Sequence, residues 1–203
     1  MTTSQDVVKL TSPRAILSFP HLFTPYLSDD DRKLGRKAKF SCSLLFDAAA
    51  QATAEFAKLK AEANRVAKEK WGDLLPDMVK NGDFHSPFLS GDKYAVKYPE
   101  QGGKIVLRVS STVKPGIVDQ MVRPVQDESA VYSGLIVIAS LNCYAYAPTK
   151  ERPQIKKGVS FGLRNMQIVE AGTPLGNRTL PEDDFVPLEG AVTAGGADPD
   201  AMF

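Results

Sequence analysis

Side chains that bind metals, relay protons or form crosslinks are scarce in this sequence. Its 203 residues include two cysteines and two histidines. Cys42 and Cys143 match no zinc or redox spacing. A chain of this length buries roughly two-thirds of its unfolded surface and needs no disulfide. The expectation is two reduced, buried thiols, as in a cytosolic protein. His21 and His85 fall in separate segments that read as loops, where a lone histidine is usually a solvated residue. There is no Walker A loop, no CxxC pair and no stretch that reads as a nucleophile elbow. The acidic run "SDDDR", Asp29 to Asp31, could hold a divalent cation, but no second acidic cluster in the body offers a partner, so it reads as a charged turn. The longest apolar stretch, "GLIVIASLNCYAYA", turns polar midway and falls short of the ~18 residues of a membrane span. The opening "MTTSQDVVKLTS" lacks the pattern of a secretory leader. No enzyme, cofactor, metal or membrane role is therefore expected.

Positive charge is missing from the last part of the chain. After Arg178 there is no lysine or arginine, while Glu182, Asp183, Asp184, Glu189, Asp198 and Asp200 all lie there. The net charge of +1 hides a body, residues 1–178, with 25 bases against 18 acids, or +7. A basic body with an acidic tail suggests a polyanion-binding surface and a removable mimic of that polyanion. A solubilising tail on a mildly basic domain is the plain alternative. The division expected is one domain over 1–178 and a flexible, disordered tail over 179–203, too poor in apolar residues to fold.

What is present reads mainly as strands. "PRAILSFPHLF" predicts a first strand from Arg14 to Phe19, ended by Pro20, with a loop to follow. In "RKAKFSCSLLF", Ala38, Phe40, Cys42, Leu44 and Phe46 alternate with Lys37, Lys39, Ser41 and Ser43, a half-buried strand with bases near its start. Asp47 then caps a helix predicted over 48–71, with Ala52, Phe56, Leu59, Ala63 and Val66 at helical spacing and Lys58–Glu62 and Arg65–Glu69 as exposed pairs. Residues 73–101 read as irregular. In "KIVLRVSST", Ile105, Leu107 and Val109 oppose Lys104, Val106, Arg108 and Ser110. A long strand follows, with Leu135, Val137, Ala139, Leu141, Cys143 and Ala145 on one face and Ile136, Ile138, Ser140, Asn142, Tyr144 and Tyr146 on the other. "KGVSFGLRNMQIVEAG" is the last arm. Five or six strands with no βαβ alternation predict a mainly β, closed or partly open antiparallel barrel, which removes the problem of exposed edges. One long helix is inserted between strands two and three.

The chemistry left is aromatic rings interleaved with bases on outward strand faces. Single-stranded nucleic acid is held in this way, with bases stacked on rings and cations on phosphates. Tyr144 and Tyr146 lie on one face about 7 Å apart, near the step between nucleotides of a stretched strand. Phe84, Phe88, Tyr94 and Tyr98 are interleaved with Lys93 and Lys97, either as a stacking platform or as a satellite cluster under a long loop.

"KGVSFGLRN", following "CYAYAPTKERPQIKKG", resembles the C-terminal signature of the bacteriophage single-stranded DNA-binding proteins, an OB-fold family long known as a domain of unknown function. "PRAILSFPHLF", "GRKAKFSCSLLF" and the alanine-rich helix ending in tryptophan stand in the order the resemblance requires, and it covers most of residues 10–172. It implies an OB-fold-like barrel and a non-enzymatic protein that coats single-stranded DNA in phage replication or recombination, in the cytoplasm of the infected host. DNA rather than RNA comes from the resemblance alone. The candidate DNA-binding residues are Lys37, Lys39, Lys93, Tyr94, Lys97, Lys104, Arg108, Tyr144, Tyr146 and Arg164, with Phe84, Phe88, Tyr98, Tyr132 and Phe161 in second rank. The tail, "DPDAMF", is similar to acidic tails with a terminal aromatic in other replication proteins of this kind. That likeness implies that Asp198, Asp200, Met202 and Phe203 dock phage or host replication proteins and compete with DNA for the groove. Self-association along DNA stays open. So do two other readings: a phage structural or assembly protein using the barrel for protein contacts, and a metal-dependent nuclease using Asp29 to Asp31.

Overall fold

Alternating apolar residues set the strands, and their order sets a closed ring. The computed structural model describes residues 10–33, 35–150, 153 and 155–176, the side chain of Asp30 apart. In chain order the elements are β1 (Leu10–Thr11), β2 (Ala15–Tyr26), α1 (Asp29–Lys33), β3 (Lys39–Phe46), α2 (Ala48–Gln51), α3 (Ala54–Trp71), α4 (Leu75–Lys80), β4 (Phe84–His85), β5 (Phe88–Ser90), β6 (Ile105–Ser111), β7 (Gly116–Val118), β8 (Ile136–Tyr146) and β9 (Lys157–Glu170). Pairing runs β8–β2–β3–β6–β9 and returns from β9 to β8. These five strands form an OB-fold-like barrel, with α3 between its second and third members.

Every pair in the ring is antiparallel except β6–β9, which is parallel. An all-antiparallel ring is impossible with an odd number of strands, because direction cannot alternate all the way round. The parallel seam refines the expectation of an antiparallel barrel.

Leu17, Leu44, Leu107, Leu141 and Phe161 point into the barrel and are fully buried. Helix α3 adds Phe56, Leu59, Ala63 and Ala67 to the same cluster. A chain of rings, Phe46–Phe56–Phe88–Phe161, ties β3 to α3, β5 and β9 at centroid spacings of 5.1, 5.6 and 5.8 Å. Burying each such side chain stabilises the fold by about 1.5–3 kcal/mol. Cys42 and Cys143 are free thiols, the first buried and the second half-buried. Burial pushes both up to about 12.

Four local expectations are corrected. The first strand does not stop at Pro20 but runs to Tyr26, because a bulge absorbs Phe19 and Pro20: Ser18 faces Ser43 while His21 already faces Ser41. The helix breaks at Ala52–Thr53, since Asp47 caps the first piece and the Thr53 hydroxyl accepts from the Phe56 amide to start the second. Glu62 is bound by Arg65, which also holds Glu69, rather than by Lys58. Within 73–101, α4, β4 and β5 replace the expected irregular chain. The expected acidic tail lies outside the described residues.

Candidate nucleic-acid interface

The outer surface of the barrel carries a continuous row of small and polar side chains. Cys42, Leu44 and Phe46 are core, so alternation turns Lys39, Ser41 and Ser43 outward. Core positions Leu107 and Val109 turn Arg108 and Ser110 outward, and core positions Val159, Phe161 and Leu163 do the same for Ser160 and Gly162. The register joins these strands. His21 faces Ser41, Ser41 faces Ser110, Ser110 lies beside Gly162, and Gly162 faces Asn142. One transverse row thus crosses all five strands of the ring without a large aliphatic side chain.

Two glycines keep this floor low. A Cβ at Gly158 would stand 2.7 Å from the Tyr146 hydroxyl and 2.6 Å from the His85 carbonyl oxygen. At Gly162 it would stand 2.5 Å from Asn142 Oδ1. The bare backbone lets Tyr146 and Asn142 fold across β9, which is the physical content of the two glycines in "KGVSFG". The Tyr146 hydroxyl lies 3.0 Å from His85 Nδ1, and Tyr144 is 38% exposed one outward position away. Burial, then the neighbouring Tyr144, raises Tyr146 above the ordinary tyrosine value.

Segment 91–101 walls the row on one side. Arg108 lies over the Tyr94 ring at 5.1 Å and Lys97 over the Tyr98 ring at 5.3 Å. Tyr98 meets Phe19 of β2 edge-on at 5.0 Å. Strand β3 runs between β2 and β6, so this contact reaches across the outside of β3. Leu45 and Val106, outward by alternation, are only 1% exposed.

The sequence-predicted residues therefore part into groups. Tyr94, Lys97, Arg108, Tyr144 and Tyr146 border the row. Lys39 stands on its outward face opposite Tyr26, with Lys37 exposed in the preceding loop and Lys93 exposed beside Tyr94. Arg164 is exposed two positions beyond Gly162 on β9. Lys104 is diverted: its ammonium donates to the Glu100 carbonyl at 2.9 Å and is partly buried. Of the second rank, Phe161 is fully buried and Phe84, Phe88 and Tyr132 pack against the core, whereas Tyr98 belongs to the wall. Asp198, Asp200, Met202 and Phe203 lie outside the described residues.

Sequence reasoning missed Phe19, His21 and His85. Both histidines sit in strands, not loops. His21 stacks on Tyr26 at 4.3 Å, and burial lowers it below its ordinary value. His85 is lowered by burial, then by Arg108 and Lys156. The only signal for Phe19 was the phenylalanine–proline pair itself, a candidate bulge.

Other chemistry finds little footing. Among the described residues no group of three or more His, Cys, Asp or Glu side chains gathers as a metal site. Asp31 is held by Ser28 and Arg36, whose hydrogen bonds keep its carboxyl below the usual range. Residues 158–162 spell GxSxG, yet all five lie in β9, whereas a nucleophile elbow requires a sharp strand-to-helix turn. A cleft of about 630 Å³ lies apart from the row, lined by Ile16, Leu45, Ile136 and Ile138 with Asp47 and Glu55. Its carboxylates repel phosphate. Among the described residues no helix is long and apolar enough to cross a membrane.

A family model described as Enterobacter phage Enc34, ssDNA-binding protein, matches residues 8–195. No curated protein matches the chain. Among solved structures, the single-stranded DNA-binding protein from bacteriophage Enc34 in complex with ssDNA is similar at a TM-score of 0.65 and 18% identity, over 82% of this chain and 88% of that one. A further structure of the single-stranded DNA-binding protein from bacteriophage Enc34 gives 0.59 and 18%, over 86% and 87%. Gp2.5, a single-stranded DNA-binding protein encoded by bacteriophage T7, gives 0.55 and 13%, over 91% and 98%.

Proposed function

The chain belongs to the Enterobacter phage Enc34 ssDNA-binding protein family, and from that membership we propose that it binds single-stranded DNA, largely without regard to sequence, during phage replication or recombination. The strand lies along the row His21–Ser41–Ser110–Gly162–Asn142. Tyr144, Tyr146 and Tyr94 offer faces to bases, and Lys37, Lys39, Lys93, Lys97, Arg108 and Arg164 take phosphates, with Lys104 contributing only after it leaves Glu100. The observation that carries this reading is that floor, rings and cations share one outward face while the core occupies the other. Small floor residues let a polynucleotide backbone approach closely, and rings accept any base. No catalytic step is assigned to the site. The protein acts in the cytoplasm of the infected cell.

The division into a binding body, 1–178, and an acidic tail, 179–203, is part of this proposal. Asp198 and Asp200 compete with phosphate for the cations, and Met202 and Phe203 dock a replication partner.

Fluorescence titration with oligo-dT tests the body. Binding should weaken steeply with salt, by about 0.7 in the logarithmic slope for each phosphate neutralised on a single strand. Absence of binding at low salt rejects the proposal and leaves the phage assembly reading. Incubating a labelled oligonucleotide with magnesium or manganese should leave it intact; cleavage favours the nuclease reading. Deleting residues 182–203 should tighten binding at low salt, and unchanged or weaker affinity removes the competing tail.

A further inference from the structure

Two residues other than glycine have positive φ among those described, Phe19 at 49° and Val122 at 62°. Such a backbone costs on the order of 1–3 kcal/mol and persists only where its surroundings enforce it. Phe19 also precedes a proline, a position with fewer allowed conformations still. The surroundings do enforce it. The Phe19 amide donates to the Ser133 hydroxyl at 3.2 Å, and the bulge leaves no register in which Phe19 pairs with β3. The outcome is a residue 42% exposed, whose ring meets Tyr98 in a T-shaped contact at 5.0 Å and is absent from the core cluster. Strain that served packing would end in a buried ring. Here it ends in an aromatic side chain left partly open to solvent at the start of the row.

We propose that Phe19, braced by Tyr98, is a second base-stacking platform, at the β2 end of the same row whose β8 end carries Tyr144 and Tyr146. This rests on the single-stranded DNA reading above and adds the path and span of the strand. Four sheet spacings of roughly 4.8 Å separate β2 from β8 through β3, β6 and β9. That is ~19 Å along the surface, room for about four extended nucleotides, the low end of the span known for one OB barrel. Bases at the two ends stack, and the phosphates between them pass Arg108 above the serine floor.

Glycine adopts the Phe19 backbone without strain, so Phe19→Gly separates the two roles a ring could have. Oligo-dT titration and thermal melting are measured on wild type, Phe19→Gly, Phe19→Ala and Phe19→Tyr. The expected result is roughly a 5- to 150-fold loss of affinity in the glycine and alanine variants, the loss typical of one stacked base. Phe19→Tyr should bind as wild type, and Phe19→Gly should melt at or above the wild-type temperature. If the wild type binds and Phe19→Gly binds equally well, the platform is wrong while the parent reading stands. A lower melting temperature with unchanged affinity shows the ring to be structural and also overturns it. A wild type that binds no oligo-dT takes down the parent reading and the platform with it.

Discussion

The two faces of β3, β6, β8 and β9 contrast sharply in burial and polarity. Inward, Leu44, Leu107, Leu141 and Phe161 are fully buried. Outward, one residue away along the same strands, stand Ser43, Arg108, Asn142 and Gly162. Because the side-chain period of a strand is two, a single stretch of backbone serves both and fixes their relative position. If the outward face binds DNA as proposed, stability and binding fall to alternate residues, and substitutions should move one property without the other.

The largest separation is expected at Phe161. Phe161→Ala removes the end of the ring chain through Phe88 and should cost about 3–5 kcal/mol in urea unfolding. Molecules that remain folded should keep their oligo-dT affinity. A marked affinity loss in fully folded protein would mean that the inner face also shapes the site. On the outer face, Tyr144→Ala and Tyr146→Ala should each weaken oligo-dT binding by about 1–3 kcal/mol. Stability should change little at Tyr144. If Tyr144→Ala unfolds the barrel, the two faces are not separate.

Gly158 is where the comparison sharpens, because one atom should disturb both properties. The added Cβ of Gly158→Ala meets the His85 carbonyl, part of the β4 backbone, as well as the Tyr146 hydroxyl. A loss of about 1–3 kcal/mol in stability is expected, together with weaker oligo-dT binding as Tyr146 is pushed off the floor. Stability and affinity both at wild-type levels would show that β9 can yield and that the glycine is incidental.

How much of this was legible depended on period. Alternation located β3, β6 and β8 and sorted Lys39, Arg108, Tyr144 and Tyr146 onto the outward side, since each shares parity with residues that alternate with the core positions of its strand. It could not locate Phe19, because a bulge breaks the period at the residue of interest and the following proline reads as a strand end. Nor could it tell Tyr98 from Phe88. Both stand in a loop-rich stretch; the pairing of β5 with β6 places Phe88 against Phe56 and Phe161, while the fold of segment 91–101 brings Tyr98 to Phe19. Lys104 had the right parity, but a carbonyl three-dimensionally close to its ammonium takes it up, and no spacing rule carries that contact.

Arg108 is expected to have a smaller, salt-dependent effect. Arg108→Gln should reduce the logarithmic salt slope of oligo-dT binding by about 0.7, as one phosphate contact is lost. The same change at Arg65 should leave the slope alone, because Arg65 is on α3 and already holds Glu62 and Glu69. Equal slopes in wild type and Arg108→Gln would place the phosphates off the row.

The smallest effect tests whether protons distinguish the faces. His85 lies below its ordinary 6.5 because it is partly buried and because Arg108 and Lys156 are near. The unfolded chain therefore takes up this proton at higher pH than the folded one does. The contribution of His85 to stability is full above 6.5 and is lost as pH falls below it. Protonation also leaves Nδ1 able only to donate to the Tyr146 hydroxyl oxygen 3.0 Å away. A phosphate on the row acts in the opposite sense, since it favours the imidazolium, so DNA binding should tighten over the same interval. Urea midpoints and oligo-dT titrations at about pH 7.5 and about pH 5.5 should thus move in opposite directions. His21 is lowered by burial too and contributes a background, so the reading is the difference between wild type and His85→Gln. That difference should be a flatter pH dependence of both properties in the variant. Should His85→Gln flatten stability alone, the strand does not pass His85, and the β8 end of the row is narrower than the register implies.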